Sequence, residues 1–148
     1  MGPENRMLNR LKPRLEKDII GLYIEKTANP YRRGMPDWYV EWNDGSGWIE
    51  AKFRDIKTEG RETVQVDPIY GMLSAHQEKW LYRAQDKNIP AAILTGFPQR
   101  DTYAFFPVFI PPPQALGSNR PVETNLLNYK QLREAIKEWS CQYYYHLP

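Results

Sequence analysis

The stretch RRGMPDWYVEWNDGSGWIEAKF, from Arg32 to Phe53, contains two runs of strand-forming residues on either side of a turn. Its charged residues are placed unusually for a half-buried hairpin. Asp37 opens the first run directly after a proline, and Glu50 and Lys52 interrupt the second run two residues apart. Charged side chains are rarely buried unless they are paired, so this placement calls for a chemical reason.

The turn of the hairpin decides which side chains share a face of the sheet. Asp-Gly is a favoured two-residue loop, because a type I′ turn requires positive φ at both positions, and the sequence has this pair at Asp44-Gly45. With that loop, Tyr39 is predicted to pair with Glu50 and Asp37 with Lys52. Paired residues, and alternate residues along a strand, point to the same side. The three charged groups are therefore expected on one face, and a slip of one residue would move Asp37 to the other.

Two interpretations of this cluster stay open on the residues alone. In the first, Lys52 neutralises two neighbouring carboxylates, and the three groups form a surface ion triad. In the second, Asp37 and Glu50 hold a magnesium ion, with the Ala51 carbonyl as a further ligand, since Mg²⁺ takes one or two protein carboxylates and keeps several waters. Lys52 would then lie beside the metal, where it could position an attacking water or help to deprotonate it.

Composition restricts the class of protein and the kind of metal site. The 148 residues, 41% hydrophobic and 26% charged, fit one globular domain. One cysteine excludes an internal disulfide and a thiolate cluster, and two histidines argue against a zinc site. No apolar run reaches the roughly 20 residues that span a bilayer, and the N-terminus lacks the apolar core of a signal peptide. We expect a cytoplasmic protein with no membrane partner.

Positive charge is concentrated before the hairpin, although the net charge is only +2. This concentration is typical either of a solvated helix face or of a surface that binds nucleic acid. The residues concerned are Arg6, Arg10, Lys12, Arg14, Lys17, Lys26, Arg32 and Arg33.

Hydrophobic periodicity predicts the element order α-β-β-β-α-β-β-α, which is an α/β domain with a mixed sheet. Pro13 is expected to kink or restart the first helix. The link over residues 54–73 stays unassigned. The predicted elements are a helix near 7–19, strands at 21–28, 37–42 and 47–53, a helix at 74–88, strands at 91–97 and 102–110, and a helix at 126–139.

The P-D at Asp37 and the E-x-K at Glu50 to Lys52 resemble the PD-(D/E)xK nuclease superfamily. With RRGMPDWYV, WIEAKF and LSAHQEKWLYRAQDKNIPAAILTGF, the chain resembles the virus-type replication-repair nuclease (VRR-Nuc) family from about Glu4 to Phe97. The resemblance implies a restriction-endonuclease-like αβββαβ core with a C-terminal helical extension. We therefore expect one nuclease domain over 1–148, with its core at about 4–106 and the extension at about 107–148.

The same resemblance implies DNA cleavage with Mg²⁺, for which Mn²⁺ substitutes. Asp37 and Glu50 would be metal ligands and Lys52 the catalytic lysine. Gln77 would reach the active site from the base of the second helix, although capping-box spacing from Ser74 explains this glutamine without any chemistry.

The family also places an acidic residue on its first helix. Glu4 fits this position best, and Glu16, on the flank of the apolar stripe, is the alternative. An acidic residue near a helix start, such as Glu4, is also a routine partner of the helix dipole.

Contacts to DNA are expected from Arg32, Arg33, Lys26 and Arg54. Arginine side chains grip phosphates as forks, and phosphate contacts carry no base information, so shape would be recognised more than sequence. Small members of the family are similar to phage Holliday-junction resolvases that act as homodimers. This implies a homodimer, located in the host-cell cytoplasm if a phage encodes it. The aromatic tail Tyr143–Tyr145 could stack on bases, lie in the subunit interface or pack on the protein's own core.

Two other functions stay open. The chain could be a non-catalytic DNA-binding or phage structural module on the same fold, although such a module need not retain Asp37, Glu50 and Lys52 together. It could also be a sequence-specific, restriction-like nuclease, although the sequence has no dedicated base-reading domain.

Overall fold

The computed structural model describes residues 2–27, 34–65, 72–107 and 123–145, with side chains as far as residue 140. Three helices and seven strands follow one another in these ranges. They are α1 (Pro3–Asp18), β1 (Tyr23–Lys26), β2 (Trp38–Trp42), β3 (Gly45–Phe53), β4 (Thr63–Gln65), α2 (Ala75–Asp86), β5 (Ala91–Gly96), β6 (Tyr103–Pro107), β7 (Glu123–Asn125) and α3 (Tyr129–Tyr145). Without the short strands β4 and β7, this is the predicted order.

The central sheet has five strands in the order β1-β2-β3-β5-β6. β3 and β5 are parallel, and every other neighbouring pair is antiparallel. A parallel pair needs a crossover connection, and α2 lies within that connection. The prediction of an α/β domain with a mixed sheet and a C-terminal helix is confirmed.

Each face of the sheet carries its own apolar core. On one face, α1 and α3 cover the side chains that alternate along β2, β3 and β5; this larger core contains Leu8, Leu11, Trp38, Val40, Ile49, Leu94, Leu132 and Trp139. On the other face, α2 and β4 cover a smaller core with Val64, Leu81, Ala84, Ile93 and Phe106. The C-terminal helix therefore packs on the same core as the first one.

α1 runs from Pro3 to Asp18 as one helix, and Pro13 lies inside it without restarting it. At the other end of the chain, α3 begins at Tyr129, three residues later than expected. Asn128 stops the helix from starting earlier, because its side chain accepts from the Gln131 N–H at 2.8 Å and its own N–H donates to the Gln131 side chain at 2.9 Å. This reciprocal pair satisfies donors that the helix start leaves open.

The link over 54–73, left unassigned from the sequence, contains β4, which pairs with β7 in a separate two-stranded sheet. Thr63 pairs with Asn125 and Gln65 with Glu123. Strands of three residues have almost no periodicity, and the partner lies about sixty positions away, so local pattern could not reveal them.

The hairpin register differs from the prediction. Its loop is Asn43–Asp44, so that Trp42 pairs with Gly45 and Tyr39 with Trp48. The predicted pairs are therefore wrong, but the pairing has moved by two residues, which leaves every side chain on its predicted face. Extending the observed register by one residue beyond β2 places Asp37 next to Glu50.

Packing of a tryptophan accounts for this register. The Trp42 ring lies 5.2 Å from the Trp139 ring of α3, and its indole nitrogen lies so close to Gly45 that a Cβ there would be 3.1 Å away. In the described part of the chain, the non-glycine residues with positive φ are Asn88 and Asp101, so the loop is not a type I′ turn. A tertiary contact has overridden the local preference of Asp-Gly.

No helix in the described ranges is both long and apolar enough to cross a membrane.

Candidate active site at the end of strand β3

Asp37 lies just before β2. Here its side-chain carboxylate, and not a backbone carbonyl, accepts a hydrogen bond from β3. Its Oδ2 accepts from the backbone N–H of Ala51 at 2.8 Å, and its carbonyl accepts from the N–H of Thr27 at 3.0 Å. The carboxylate is thereby fixed against β3 between Glu50 and Lys52.

Glu50 and Lys52 point to the face of the sheet that α2 covers. Only 2% of Glu50 and 7% of Lys52 is exposed, and Lys52 Nζ lies 3.8 Å from Glu50 Oε1. An exposed ion triad is therefore the wrong interpretation of this cluster. Ions buried to this degree carry a desolvation cost that one ion pair at this distance repays poorly, which is typical of groups kept for a chemical purpose.

Gln77 connects the first turn of α2 to both of these residues. Its Nε2 donates to Glu50 Oε1 at 2.8 Å, and its Oε1 accepts from Lys52 Nζ at 2.9 Å. The same Oε1 accepts from the Ser74 N–H, and the Gln77 N–H donates to the Ser74 hydroxyl, which completes the predicted capping box. Gln77 is thus both the N3 residue of the capping box and a hydrogen-bond partner of Glu50 and Lys52.

Gly34 sets the distance between the Asp37 loop and α2. It has φ of +83°, and a Cβ on it would lie 2.9 Å from the Gln77 nitrogen and closer still to the His76 carbonyl. A side chain at this position would be strained and would overlap the helix backbone. The sequence reasoning did not identify Gly34 as a site residue. Its position three residues before Asp37, directly after Arg32 and Arg33, could have indicated it.

The electrostatics of the site are dominated by Glu50. The pKa of its carboxyl is raised from 4.5 to about 9, mainly by burial and next by the negative charge of Asp37. The positive charge of Lys52 acts in the opposite direction, and Glu4 contributes a smaller increase in the same pKa. With these neighbours alone, Glu50 holds a proton at neutral pH.

A divalent cation would favour the ionised form of Glu50 and offset the negative charges of Glu50 and Asp37. Glu50 Oε2 is buried and has no hydrogen-bond partner in the described part of the chain, beside the carboxylate of Asp37. The described residues contain no group of three or more His, Cys, Asp or Glu side chains arranged for a metal. Two carboxylates and a carbonyl still match Mg²⁺, which takes one or two protein carboxylates and fills the other positions with water or phosphate oxygens.

The two acidic residues considered on α1 lie in different surroundings. Glu4 is half-buried at the N-terminal end and acts on the pKa of Glu50. Glu16, three turns later, is bound to Lys12 at 3.0 Å and accepts from the Ile24 N–H at 3.1 Å. The structure places Glu4, and not Glu16, in the electrostatic neighbourhood of the cluster.

The basic residues expected to touch DNA are not gathered around the cluster. Lys26 is exposed, and its Nζ donates to Asn9 on α1 at 2.7 Å, on the sheet face opposite Glu50. Arg54 directly follows β3 and is half-buried, with its backbone N–H bound to the Gly96 carbonyl. Arg32 and Arg33 lie outside the described residues.

Thr95 is a second residue that the sequence reasoning missed. It pairs with Lys52 in the parallel β3–β5 register, is fully buried, and its hydroxyl has no partner among the described residues. The feature of the sequence that could have indicated it is that Thr95 is the single hydroxyl residue in the otherwise apolar stretch AAILTGF.

Comparison with solved structures finds a Holliday junction resolvase from the hyperthermophilic archaeon Archaeoglobus fulgidus. The two chains are 18% identical and superpose with a TM-score of 0.51, over 93% of this chain and 98% of the resolvase chain. No protein-family model matches the sequence, and no curated protein matches it. The likeness, at this identity, concerns the fold, and it confirms the predicted restriction-endonuclease-like architecture with its mixed sheet and C-terminal helix.

Proposed function

We propose that this protein is a metal-dependent endodeoxyribonuclease of the PD-(D/E)xK type that cuts branched DNA such as Holliday junctions. The observation that carries the proposal is the convergence of Asp37, Glu50, Lys52 and Gln77 at the end of β3. The Archaeoglobus structure, which is a Holliday junction resolvase, supports the choice of substrate. The motifs around these residues favour the VRR-Nuc family and a phage-type enzyme.

Mg²⁺, or Mn²⁺ in its place, would be held by the carboxylates of Asp37 and Glu50 and by the Ala51 carbonyl. When bound, the cation activates water and stabilises charge on the scissile phosphate. Asp37 is already oriented for this task by the Ala51 N–H, and Glu50 by the Gln77 amide, so that the Oε2 atom without a partner is the one left for a ligand.

Lys52 would position the attacking water and help to deprotonate it. Its ammonium is buried and held on Gln77 Oε1 at 2.9 Å, which fixes the direction in which its other hydrogens point. An attacking water on that side would be oriented by Nζ. Glu4 adds negative charge to the same end of the sheet and is the proposed first-helix acidic residue.

The DNA backbone would be gripped by Arg32, Arg33, Lys26 and Arg54. Phosphate contacts position a duplex without reading its bases, which suits an enzyme that selects a branched shape. The exposed position of Lys26 on the α1 side suggests that DNA extends around the edge of the sheet.

Resolution of a four-way junction requires two cuts, and one chain offers one cluster of Asp37, Glu50 and Lys52. We therefore propose a homodimer, twofold symmetry being the commonest in soluble oligomers. The C-terminal third would contribute to its interface through Tyr143–Tyr145, whose side chains lie outside the described part. Sedimentation of the protein alone and with a junction tests this, and one subunit per junction in both states would contradict it.

A non-catalytic DNA-binding or phage structural module remains a second candidate on the fold alone, and a sequence-specific restriction-like nuclease a third. The experiment that separates them is cleavage of four-way junction, flap and plain duplex DNA, each with Mg²⁺ and with excess EDTA. A resolvase cuts the junction only with metal, and a binding module cuts none of them. A restriction-like enzyme cuts plain duplex at a defined sequence.

A further inference from the structure

A groove of about 470 Å³ lies between α1 and the segment that joins β5 to β6. It is on the sheet face opposite Gln77, and neither its arginines nor its walls belong to the candidate active site. The charged residues that line it, in the described part of the chain, are four arginines and one aspartate: Arg6, Arg10, Arg14, Arg100 and Asp101.

Three of the arginines form a stripe along one side of α1. Arg6, Arg10 and Arg14 recur at intervals of four residues, which places neighbours on the same helix face about 6 Å apart. The stripe is therefore about 12 Å long. A nucleic-acid strand carries one phosphate for about every 3.4 Å of axial rise, so about three phosphates can lie along it.

Little negative charge from the described residues opposes Arg10, Arg14 and Arg100. Among the ion pairs found in the described residues, none includes Arg10, Arg14 or Arg100. Arg10 donates to the Tyr103 hydroxyl at 3.3 Å, and the Arg14 guanidinium stacks 3.6 Å above the Tyr129 ring. Both contacts orient a guanidinium without neutralising it.

Among the described residues that line the groove, the one carboxylate is already engaged. Asp101 Oδ1 accepts from the backbone N–H of Tyr129, the first residue of α3, at 3.1 Å, where the positive end of the helix dipole stabilises an anion. The groove thus presents an excess of positive charge in a concave site, which favours a polyanion.

The groove also leads to the candidate active site. Phe53, which lines it, directly follows Lys52 on β3, and Gly96 directly follows Thr95 on β5. Pro3, at its near end, is adjacent to Glu4, which acts on Glu50. A strand lying along Arg14, Arg10 and Arg6 would therefore arrive at the end of β3 where the carboxylates converge.

We infer that this groove binds the phosphodiester backbone of one DNA arm and feeds it to the cluster at the end of β3. The inference rests on the proposed nuclease function and assigns DNA contacts to Arg6, Arg10, Arg14 and Arg100. Its contribution is electrostatic, because guanidinium forks bind phosphates and release counterions.

The test compares junction binding by fluorescence anisotropy at several salt concentrations, in EDTA so that no cleavage occurs. The variant Arg10→Ala/Arg14→Ala/Arg100→Ala should bind at least tenfold more weakly. Its plot of log K against log salt should be flatter by about 0.9 for each phosphate that the variant no longer neutralises. The lysine version of the same triple variant keeps the charge and should retain most of the affinity and slope.

The matched control removes three exposed cations outside the groove, as Arg83→Ala/Lys87→Ala/Lys130→Ala, and should leave the slope within about 1 of the wild type. Thermal unfolding of each variant checks that it folds. A groove variant that folds and keeps the wild-type slope overturns the inference. Wild-type protein that binds no DNA overturns the proposed function instead. Loss of binding to anionic phospholipid vesicles with DNA affinity unchanged would assign the groove to a lipid surface and reject DNA.

Discussion

The side-chain amide of Gln77 donates from Nε2 to Oε1 of Glu50 at 2.8 Å, across the interface between α2 and the central sheet. The carbonyl of the same amide accepts from Lys52 and from the Ser74 backbone. One side chain therefore completes the start of a helix and fixes both charges of the E-x-K strand.

These two tasks can be separated by substitution. Ser74→Ala removes the hydroxyl that accepts from the Gln77 N–H and should lower the free energy of unfolding by about 1 kcal/mol, with cleavage rates close to wild type. Gln77→Ala also releases Glu50 and Lys52 and should slow cleavage by about 10- to 100-fold, as removal of a supporting partner does in metal sites. Single-turnover cleavage and urea unfolding of both variants check this. Equal cleavage by the two would show that Gln77 is only a cap.

Substitution of the charged groups should stop cleavage and spare binding. Asp37→Asn keeps an oxygen that can accept from the Ala51 N–H, so the loop should stay in place while the charge of a ligand is removed. Lys52→Ala removes the ammonium near the reacting water. We expect no measurable cleavage by either variant and junction affinity within a few-fold of wild type. Full activity in either one, or wild-type activity in excess EDTA, would contradict the metal-nuclease proposal.

Gly34 and Gly60 form a matched pair for testing the approach of the Asp37 loop to α2. Both have positive φ, of +83° and +74°, but a Cβ at 34 overlaps the backbone of α2 whereas nothing lies within 4 Å of one at 60. Gly60→Ala should cost only the backbone strain, about 1 to 2 kcal/mol. Gly34→Ala should cost more and should also lower cleavage at temperatures where it remains folded. Circular dichroism melts with parallel cleavage assays measure both, and identical behaviour of the two variants would exclude a positioning role for Gly34.

The raised pKa of Glu50 predicts how stability depends on pH in EDTA. Below about 4.5 the carboxyl is protonated in both the folded and the unfolded chain. Between 4.5 and about 9 it ionises only in the unfolded chain, which then binds fewer protons, so the free energy of unfolding falls as pH rises, by up to about 1.4 kcal/mol per pH unit. Glu50→Gln should remove this contribution, and its stability relative to wild type should therefore increase from pH 5 to pH 8.

Chemical denaturation at several pH values measures that difference. Added Mg²⁺ should reduce it, since a cation stabilises the ionised carboxylate in the folded protein. Parallel pH profiles for wild type and Glu50→Gln would show that Glu50 titrates normally.

The site could be predicted from sequence where it depends on the alternation of side chains along a strand and on short spacings between residues. Asp37, Glu50 and Lys52 lie on one face as predicted, although the predicted loop was wrong. The pairing of the two strands differs from the prediction by two residues, and a shift of two leaves each side chain on the same face. The capping role of Gln77 followed from its spacing from Ser74, whereas its place at the site was implied by the family resemblance. The loop itself was wrong because Trp42 packs on Trp139, nearly a hundred residues away, and no local pattern contains that contact.

Other features depended entirely on such distant contacts. The pairing of β4 with β7 and the approach of Gly34 to His76 join segments whose neighbourhood is created only by the complete fold. Thr95 next to Lys52 required the parallel register of β3 and β5. The arginine stripe on α1 was visible as a concentration of charge, but its groove required the turn between β5 and β6.

The closeness of Gly34 to α2 has a consequence for when the protein becomes active. During synthesis, Asp37, Glu50 and Lys52 emerge from the ribosome well before Gln77, and β5, which holds β3 in place, follows later still. A nascent or partly unfolded chain carries every charge of the cluster but lacks the helix that aligns them. The nuclease activity we propose therefore requires α2 to be packed on the sheet, and a chain that has not completed this packing would not cleave DNA.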